Sequence, residues 1–202
     1  LERAWPLDEL ARELSDRFGV AEVSVRMYAT MHPTFVTEGS LVRLRRSDEA
    51  YIPETSLELS PQCFVVDGFW SLVVTVDRDF LRGSGRNISE AFAVHLGVAP
   101  GTSGELGSDG RPVRLGWGMA PWIGSLRWVA NEHGLVEDDI VFVRRCSPSK
   151  LDFTFVRNAD LNGASPEAEL RARVGAAGSS QPIARCLADA LGLGGASSPS
   201  VT

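Results

Sequence analysis

The chain has 202 residues and a formal net charge of -6 at pH 7, with 44% hydrophobic and 23% charged residues. These are ordinary values for a globular protein, and the length allows one domain or a small domain joined to a larger one. No apolar run approaches the roughly 20 residues that cross a bilayer, and the amino end lacks a secretory pattern. We therefore expect a cytoplasmic protein without membrane contact.

The negative charge argues against nucleic-acid binding, because non-specific affinity arises when Lys and Arg neutralise phosphates. A nucleic-acid site in this chain would therefore have to be locally basic. The only lysine is Lys150, against nineteen arginines, and the chain begins without methionine. We interpret the arginine excess as the coding bias of a GC-rich genome, and the missing methionine as the sign of a segment from a larger bacterial protein.

Catalytic and metal-binding patterns are absent from the sequence. The cysteines Cys63, Cys146 and Cys186 are odd in number and widely spaced, which predicts reduced thiols rather than disulfides or a zinc site. The three histidines do not cluster. The sequence contains no nucleophile elbow, phosphate-binding P-loop, zinc-protease motif or dinucleotide fingerprint. We therefore expect no enzyme, no cofactor and no metal.

The first 46 residues predict a helix-turn-helix followed by a hairpin. Apolar residues recur at helical spacing over Pro6 to Phe18, and Gly19 stands where the helix should end. A second helix is predicted over Ala21 to Met31, with Tyr28 in the core. Residues 34–46 alternate around a glycine turn, as in a β-hairpin. Domains of this layout usually have three helices, so the first would lie upstream or be reduced to residues 1–5.

The runs LAREL (10–14), GV (19–20) and SVRMY (24–28), followed by FV (35–36) and LVRL (41–44), carry a resemblance. They resemble the promoter-reading helix-turn-helix of sigma factors and the related HARE winged helices. The resemblance covers about a fifth of the chain and implies that residues 21–30 form a recognition helix, which enters the DNA major groove by its amino end.

On this interpretation Ser24, Arg26 and Thr30 would face bases or phosphates. Arg26 is the best base reader, because its planar fork can bind guanine O6 and N7 together. The alternative is that Arg26 pairs with Glu22 one helical turn earlier. A separate basic group would contact phosphates rather than bases; it comprises Arg43, Arg45 and Arg46.

The rest of the chain predicts a linker, a second domain and a tail. Residues 47–61 have linker composition, and residues 62–160 predict a small mixed α+β barrel or open sheet, with a loop at 99–111 and a helix at 122–133. Residues 161–202 are rich in Gly, Ala and Ser and predict a tail with a helix at 182–191. The whole chain is therefore expected to be an α+β protein.

A glycine-rich segment of the second domain predicts an anion site. It consists of Arg82, Gly83, Ser84, Gly85 and Arg86 and leads into a predicted helix. Exposed backbone N–H groups, two arginines and the helix amino end would together attract phosphate. The alternative is a simple turn in which Asn87 or Ser89 caps the helix.

A second arginine set surrounds three tryptophans. Arg111, Arg114 and Arg127 lie near Trp117, Trp122 and Trp128 in the sequence. Tryptophans beside arginines can stack on bases, but three of them so close together can equally be the core and rim of a small barrel. The strand, helix, strand arrangement weakly resembles B3-type pseudobarrels, which implies a second DNA contact.

The sequence thus supports two function hypotheses of different classes. The first is a DNA-binding or DNA-sensing module that contacts double-stranded DNA, with the winged helix as the reader. The second is a protein-interaction or oligomerisation module, with a protein partner bound through exposed aromatic residues or the tail.

Overall fold

A computed structural model describes residues 4–46 and 48–193, in which eight α-helices and eleven strands form a mixed α+β fold. The predicted α+β class is confirmed. The helices are α1 (Leu7–Phe18), α2 (Glu22–Met31), α3 (Arg78–Arg82), α4 (Glu90–His95), α5 (Arg127–His133), α6 (Asn158–Leu161), α7 (Pro166–Arg173) and α8 (Ile183–Ala190). The strands are β1 (Trp5–Pro6), β2 (Phe35–Glu38), β3 (Leu41–Leu44), β4 (Cys63–Val66), β5 (Phe69–Thr75), β6 (Arg86–Asn87), β7 (Ser103–Ser108), β8 (Arg111–Trp117), β9 (Pro121–Ile123), β10 (Ile140–Ser147) and β11 (Lys150–Val156).

The N-terminal unit combines α1 and α2 with a three-stranded sheet of order β1-β3-β2. Gly19 adopts a left-handed conformation at the end of α1, and its N–H bonds to the carbonyl of Ser15. The buried core is small, consisting of Leu10, Ala29 and Val42. The two helices and the hairpin therefore form close to their predicted bounds.

The prediction that Tyr28 lies in the core is wrong. Its side chain is 49% exposed, and its ring stacks on His32 with 4.9 Å between centroids. The buried face of α2 is instead occupied by Ala29, and the aromatic rings that pack against this core are those of Trp5 and Phe35. Tyr28 therefore lies on the surface.

The larger sheet has the linear order β4-β5-β10-β11-β7-β8-β9-β6. Its two halves join at a single pair, Lys150 and Gly107, where β11 and β7 run parallel. Helices α4 and α5 contribute Phe92 and Val129 to a core that also holds strand residues such as Val141. The sequence predicted either a small barrel or an open sheet. The described strands have a linear order with β4 and β6 at its two ends, as in an open sheet.

Two predictions within this unit are wrong. The expected loop over 99–111 contains β7, because six cross-strand pairs with β8 hold this glycine-rich segment extended. The expected helix over 122–133 begins only at Arg127, since Trp122 pairs with Asn87 in the sheet. Helix α3 was not predicted; the carboxylate of Asp77 caps it by accepting the N–H of Phe80.

The composition of the C-terminal segment predicted a tail, but the structure has packed helices there. Helix α8 contacts β4 and buries Cys186 and Ala190. The backbone of Gly175 approaches Val66 so closely that a Cβ would lie 2.6 Å from its methyl groups. Small residues here allow close packing rather than flexibility. Helix α8 falls within the helix predicted at 182–191, whereas residues 194–202 lie outside the described residues.

The predicted linker makes specific contacts. Tyr51 donates its hydroxyl hydrogen to Glu90 Oε2 at 2.7 Å, and its ring meets buried Trp117 edge to face. Burial, followed by the bond to Glu90, raises the pKa of Tyr51 to about 12. The guanidinium of Arg45 lies over the same ring, and Thr34 abuts the backbone of Gly101. The N-terminal unit is thus docked on the α+β unit.

Candidate nucleic-acid interface

Arg26, the predicted base reader, is held between two carboxylates. Its Nε donates to Asp8 Oδ1 at 2.8 Å, and Nη2 donates to Glu22 Oε2 at 2.6 Å. Both bonds raise the pKa of Arg26 above its usual value, and the bond to Asp8 has the larger effect. The alternative pairing with Glu22 is therefore present, and Asp8 joins it from α1. The side chain of Arg26 links the two helices.

Thr30 and Ser24 are the other two residues of α2 that were predicted to face DNA. The Thr30 hydroxyl donates to the carbonyl of Arg26 at 2.9 Å, as Ser and Thr often do inside helices. Ser24 is exposed. The helix also exposes the apolar side chains of Val23, Met27 and Met31. The exposed face of α2 consequently carries little positive charge for a duplex.

Arg43 on β3 is neutralised by acidic neighbours. Nη1 and Nη2 each donate to one oxygen of Glu49 at 2.7 Å, and Nη2 also donates to Glu38 at 2.9 Å. The bonds from Arg43, followed by the backbone N–H of Arg46, lower the pKa of Glu49 to about 2. Only 18% of the Arg43 side chain is exposed. It would have to exchange two carboxylates to reach a phosphate.

The neighbouring arginines Arg45 and Arg46 differ in their contacts. Arg45 Nε donates to the carbonyl of Pro33 at 3.0 Å, and the group lies over Tyr51, so this side chain serves docking between the units. Arg46 is exposed, and its side chain makes no ion pair within the described ranges 4–46 and 48–193. Of Arg43, Arg45 and Arg46, it is therefore Arg46 that is best placed to meet a phosphate.

The glycine-rich segment does not form an open phosphate-binding loop. The N–H groups of Gly83 and Ser84 both donate to the carbonyl of Asp79, because the segment closes the carboxyl end of α3. Arg86 forms an ion pair with Asp77, and this bond lowers the pKa of the carboxyl group. Ser89 caps α4 by accepting the N–H of Phe92, as the alternative interpretation expected. Arg82 stays exposed.

A cleft of about 540 Å³ lies beside this segment. Its lining includes the carboxylates of Asp77 and Asp79, which disfavour a bound phosphate. The full lining is Gln62, Leu72, Val74, Thr75, Asp77, Asp79, Ser84, Gly85, Arg86 and Asn87. Of the two arginines predicted for this region, Arg86 lines the cleft but is paired with Asp77, and Arg82 is not part of the lining.

Glycines bring three distant arginines onto adjoining segments. A Cβ on Gly83 would lie 3.4 Å from Cδ of Arg127, and one on Gly124 would lie 3.2 Å from Cβ of Arg114. A Cβ on Gly85 would lie only 2.8 Å from the carbonyl of Ile123. Without glycine at these positions the segments could not pack so closely. We call the exposed side chains of Arg82, Arg114 and Arg127 the arginine face.

The arginine face is weakly neutralised. Arg114 is 78% exposed, and its Nε lies 3.6 Å from Glu105, a loose surface pair that stabilises little. Arg82 and Arg127 make no ion pair with any of the residues that the structure describes. These arginines were assigned from the sequence to two separate sets, and it was not predicted that their segments adjoin. The glycines at 83, 85 and 124 were the available signal.

The three tryptophans do not form an exposed stacking platform. Trp117 is buried at 2% exposure, and Trp128 is half-buried, edge to face with Phe153. The Trp122 ring is also half-buried and lies against the backbone of Gly116. Their geometry corresponds to the core and rim of the sheet.

Within residues 4–46 and 48–193, no group of three or more His, Cys, Asp and Glu side chains is placed to hold a metal ion. None of the helices in those ranges combines the length and apolar character needed to cross a membrane. Comparisons with protein-family models, with curated proteins and with solved structures found no match to this chain.

Proposed function

We propose that the chain is a DNA-binding module whose main phosphate contacts come from the arginine face. The observation that carries this proposal is that Arg82, Arg114 and Arg127 stand exposed on adjoining segments, and that their one ion pair among the described residues is the loose contact of Arg114 with Glu105. In a chain of net charge -6, such a local cation cluster is the feature that can offset repulsion from DNA.

A hydroxyl group beside the cluster offers a further polar contact to a phosphate backbone. It belongs to Ser125, which is exposed and lies close to Gly83. Arginine guanidinium groups bind phosphate oxygens in a bidentate manner, and hydroxyl groups add position without sequence information. The arginine face is therefore proposed to bind the DNA backbone rather than to read bases.

The N-terminal unit would be the source of any sequence preference. It combines two helices with a sheet of order β1-β3-β2, which is consistent with the winged helix that the sequence resembles. Base reading by α2 would require Arg26 to leave Asp8 and Glu22. We therefore propose the hairpin of β2 and β3 as the secondary contact, with exposed Arg46, which follows β3, as its available cation.

The proposal is tested by equilibrium binding to a fluorescent DNA duplex at about 0.1 M salt. Replacing Arg82, Arg114 and Arg127 together by alanine should weaken binding by at least about 30-fold, because charge-assisted contacts to phosphate are lost. A charge-matched control replaces three arginines on helices elsewhere: Arg12, Arg173 and Arg185. Equal losses in both triple variants would show that only net charge matters, and a parent chain that does not bind would refute the proposal.

A second candidate function is protein interaction or oligomerisation. The specific observation in its favour is the apolar outer side of α2, where Val23, Met27 and Met31 are exposed. Exposed apolar patches can mark protein interaction sites, whereas affinity for DNA comes largely from Lys and Arg side chains.

A further inference from the structure

The outer side of α2 and the turn before it carry a continuous apolar surface. We call it the α2 apolar face, and it comprises Val20, Val23, Met27, Tyr28 and Met31. The exposed fractions of these side chains run from 43% to 69%. Because Val23, Met27 and Met31 follow one another at four-residue spacing, they share one side of the helix, and Val20 lies in the turn before it.

The charged residues of α2 do not interrupt this surface. Glu22 and Arg26 pair on the side of the helix that meets α1, where Asp8 completes the cluster. A helix exposed to water normally shows the opposite arrangement, with polar residues outward and apolar residues toward its core. The α2 apolar face therefore has the composition of a contact surface.

The size of the surface is that of half an interface between two copies of the chain. Five side chains that each expose roughly 100 Å² present roughly 500 Å², near the largest apolar patch of a typical monomer. Two such faces in contact bury roughly 1,000 Å² before any polar rim is added, which is the lower bound for a specific interface. The surface is thus large enough for a dimer.

We propose that two copies of this chain dimerise through the α2 apolar face, with the α2 helices antiparallel about a two-fold axis. Met27 lies midway along the row and would meet its own copy, while Val23 would meet Met31. The antiparallel arrangement also sets each helix amino end beside the opposite carboxyl end, which favours the two dipoles. Ser24, beside the row, is small enough to let the helices approach.

The inference deepens the second candidate function and is independent of DNA binding, since the arginine face lies in the other unit. It is tested by sedimentation velocity on the full chain from about 1 to 300 µM. The parent chain should shift from monomer to dimer with concentration. Met27→Glu should weaken dimerisation at least about 100-fold, because the interface would bury two carboxylates without partners.

A matched control is Val136→Glu, which places the same charge on another exposed apolar side chain. It should dimerise like the parent. A parent that stays monomeric, or a Met27→Glu variant that dimerises as strongly as Val136→Glu, overturns the proposal. Duplex affinity is measured on all three proteins at a concentration where they are monomeric, and the two charge variants should agree, so failure of DNA binding is distinguishable from failure of the dimer.

Crosslinking tests the two-fold geometry separately. Exposed Cys146 is first replaced by serine, and the Met27→Cys variant is then oxidised with copper phenanthroline, which takes two electrons and two protons from a pair of thiols. A covalent dimer should form through position 27, since this position faces its own copy. The same substitution at Val136 should give no such dimer, and equal crosslinking at both positions would contradict the proposed axis.

Discussion

Arg26 joins α2 to α1 by donating to Asp8, a residue 18 positions earlier in the chain, at 2.8 Å. Arg26→Ala should therefore change duplex affinity by no more than about twofold, because the guanidinium is occupied within the unit. The melting temperature should fall slightly, since the link between the helices is lost. Asp8→Ala should lower it similarly. A tenfold loss of affinity with unchanged melting would instead make α2 the DNA reader.

We predict that Asp139 contributes strongly to the free energy of unfolding. It is fully buried, and its oxygens accept the N–H groups of Val136 at 2.9 Å and Asn158 at 2.8 Å, and a bond from Arg157. Asp139→Ala would leave these donors unsatisfied and should cost about 3 kcal/mol of unfolding free energy. Urea denaturation measures this, with exposed Glu137→Ala as the control. A similar small change for both variants would contradict the prediction.

Glu49 should make stability depend on acid pH. Its pKa is about 2 in the folded protein and near 4.5 when unfolded, because of its bonds to Arg43 first and to the backbone of Arg46. A lowered carboxyl pKa stabilises the fold above the unfolded value, and this stabilisation is lost as the pH falls from about 4.5 toward 2. Melting curves across this range should show a smaller decline for Glu49→Gln than for the parent. Parallel declines would contradict this.

The C-terminal helices should contribute to stability, contrary to the tail predicted from composition. Truncation after Gly163 removes Cys186 and Ala190, whose side chains are buried, together with the packing of α8 on β4. The melting temperature should fall by several degrees. Truncation after Leu193 keeps both helices and serves as the control. An unchanged melting temperature after the longer truncation would restore the interpretation as a tail.

Some helices and strands are specified by residues close together in the sequence, and these were predicted correctly. The spacing of apolar residues located α1, and the glycine turn located the hairpin of β2 and β3. The helix expected over 122–133 begins only at Arg127, because Trp122 pairs with Asn87, which lies far earlier in the chain, before α4. Strand pairing of this kind depends on the tertiary fold and overrides local preference.

The candidate site was harder to predict for the same reason. The partner of Arg26 at Asp8 lies on another helix, and the adjacency of Arg127 to Gly83 arises only when three segments pack. Residue types could identify cations but not which of them had carboxylate neighbours. Arg43 and Arg82 look alike in the sequence, yet one is neutralised and the other exposed.

The salt dependence of duplex binding tests the role of the arginine face. Log affinity decreases linearly with log salt concentration. This slope should become shallower by roughly 2.7 when Arg82, Arg114 and Arg127 are replaced by alanine, since each lost phosphate contact removes roughly 0.9 from its magnitude. The slope should change little when Arg12, Arg173 and Arg185 are replaced. An unchanged slope in the first variant, or an equal fall in both, would contradict phosphate binding by the arginine face.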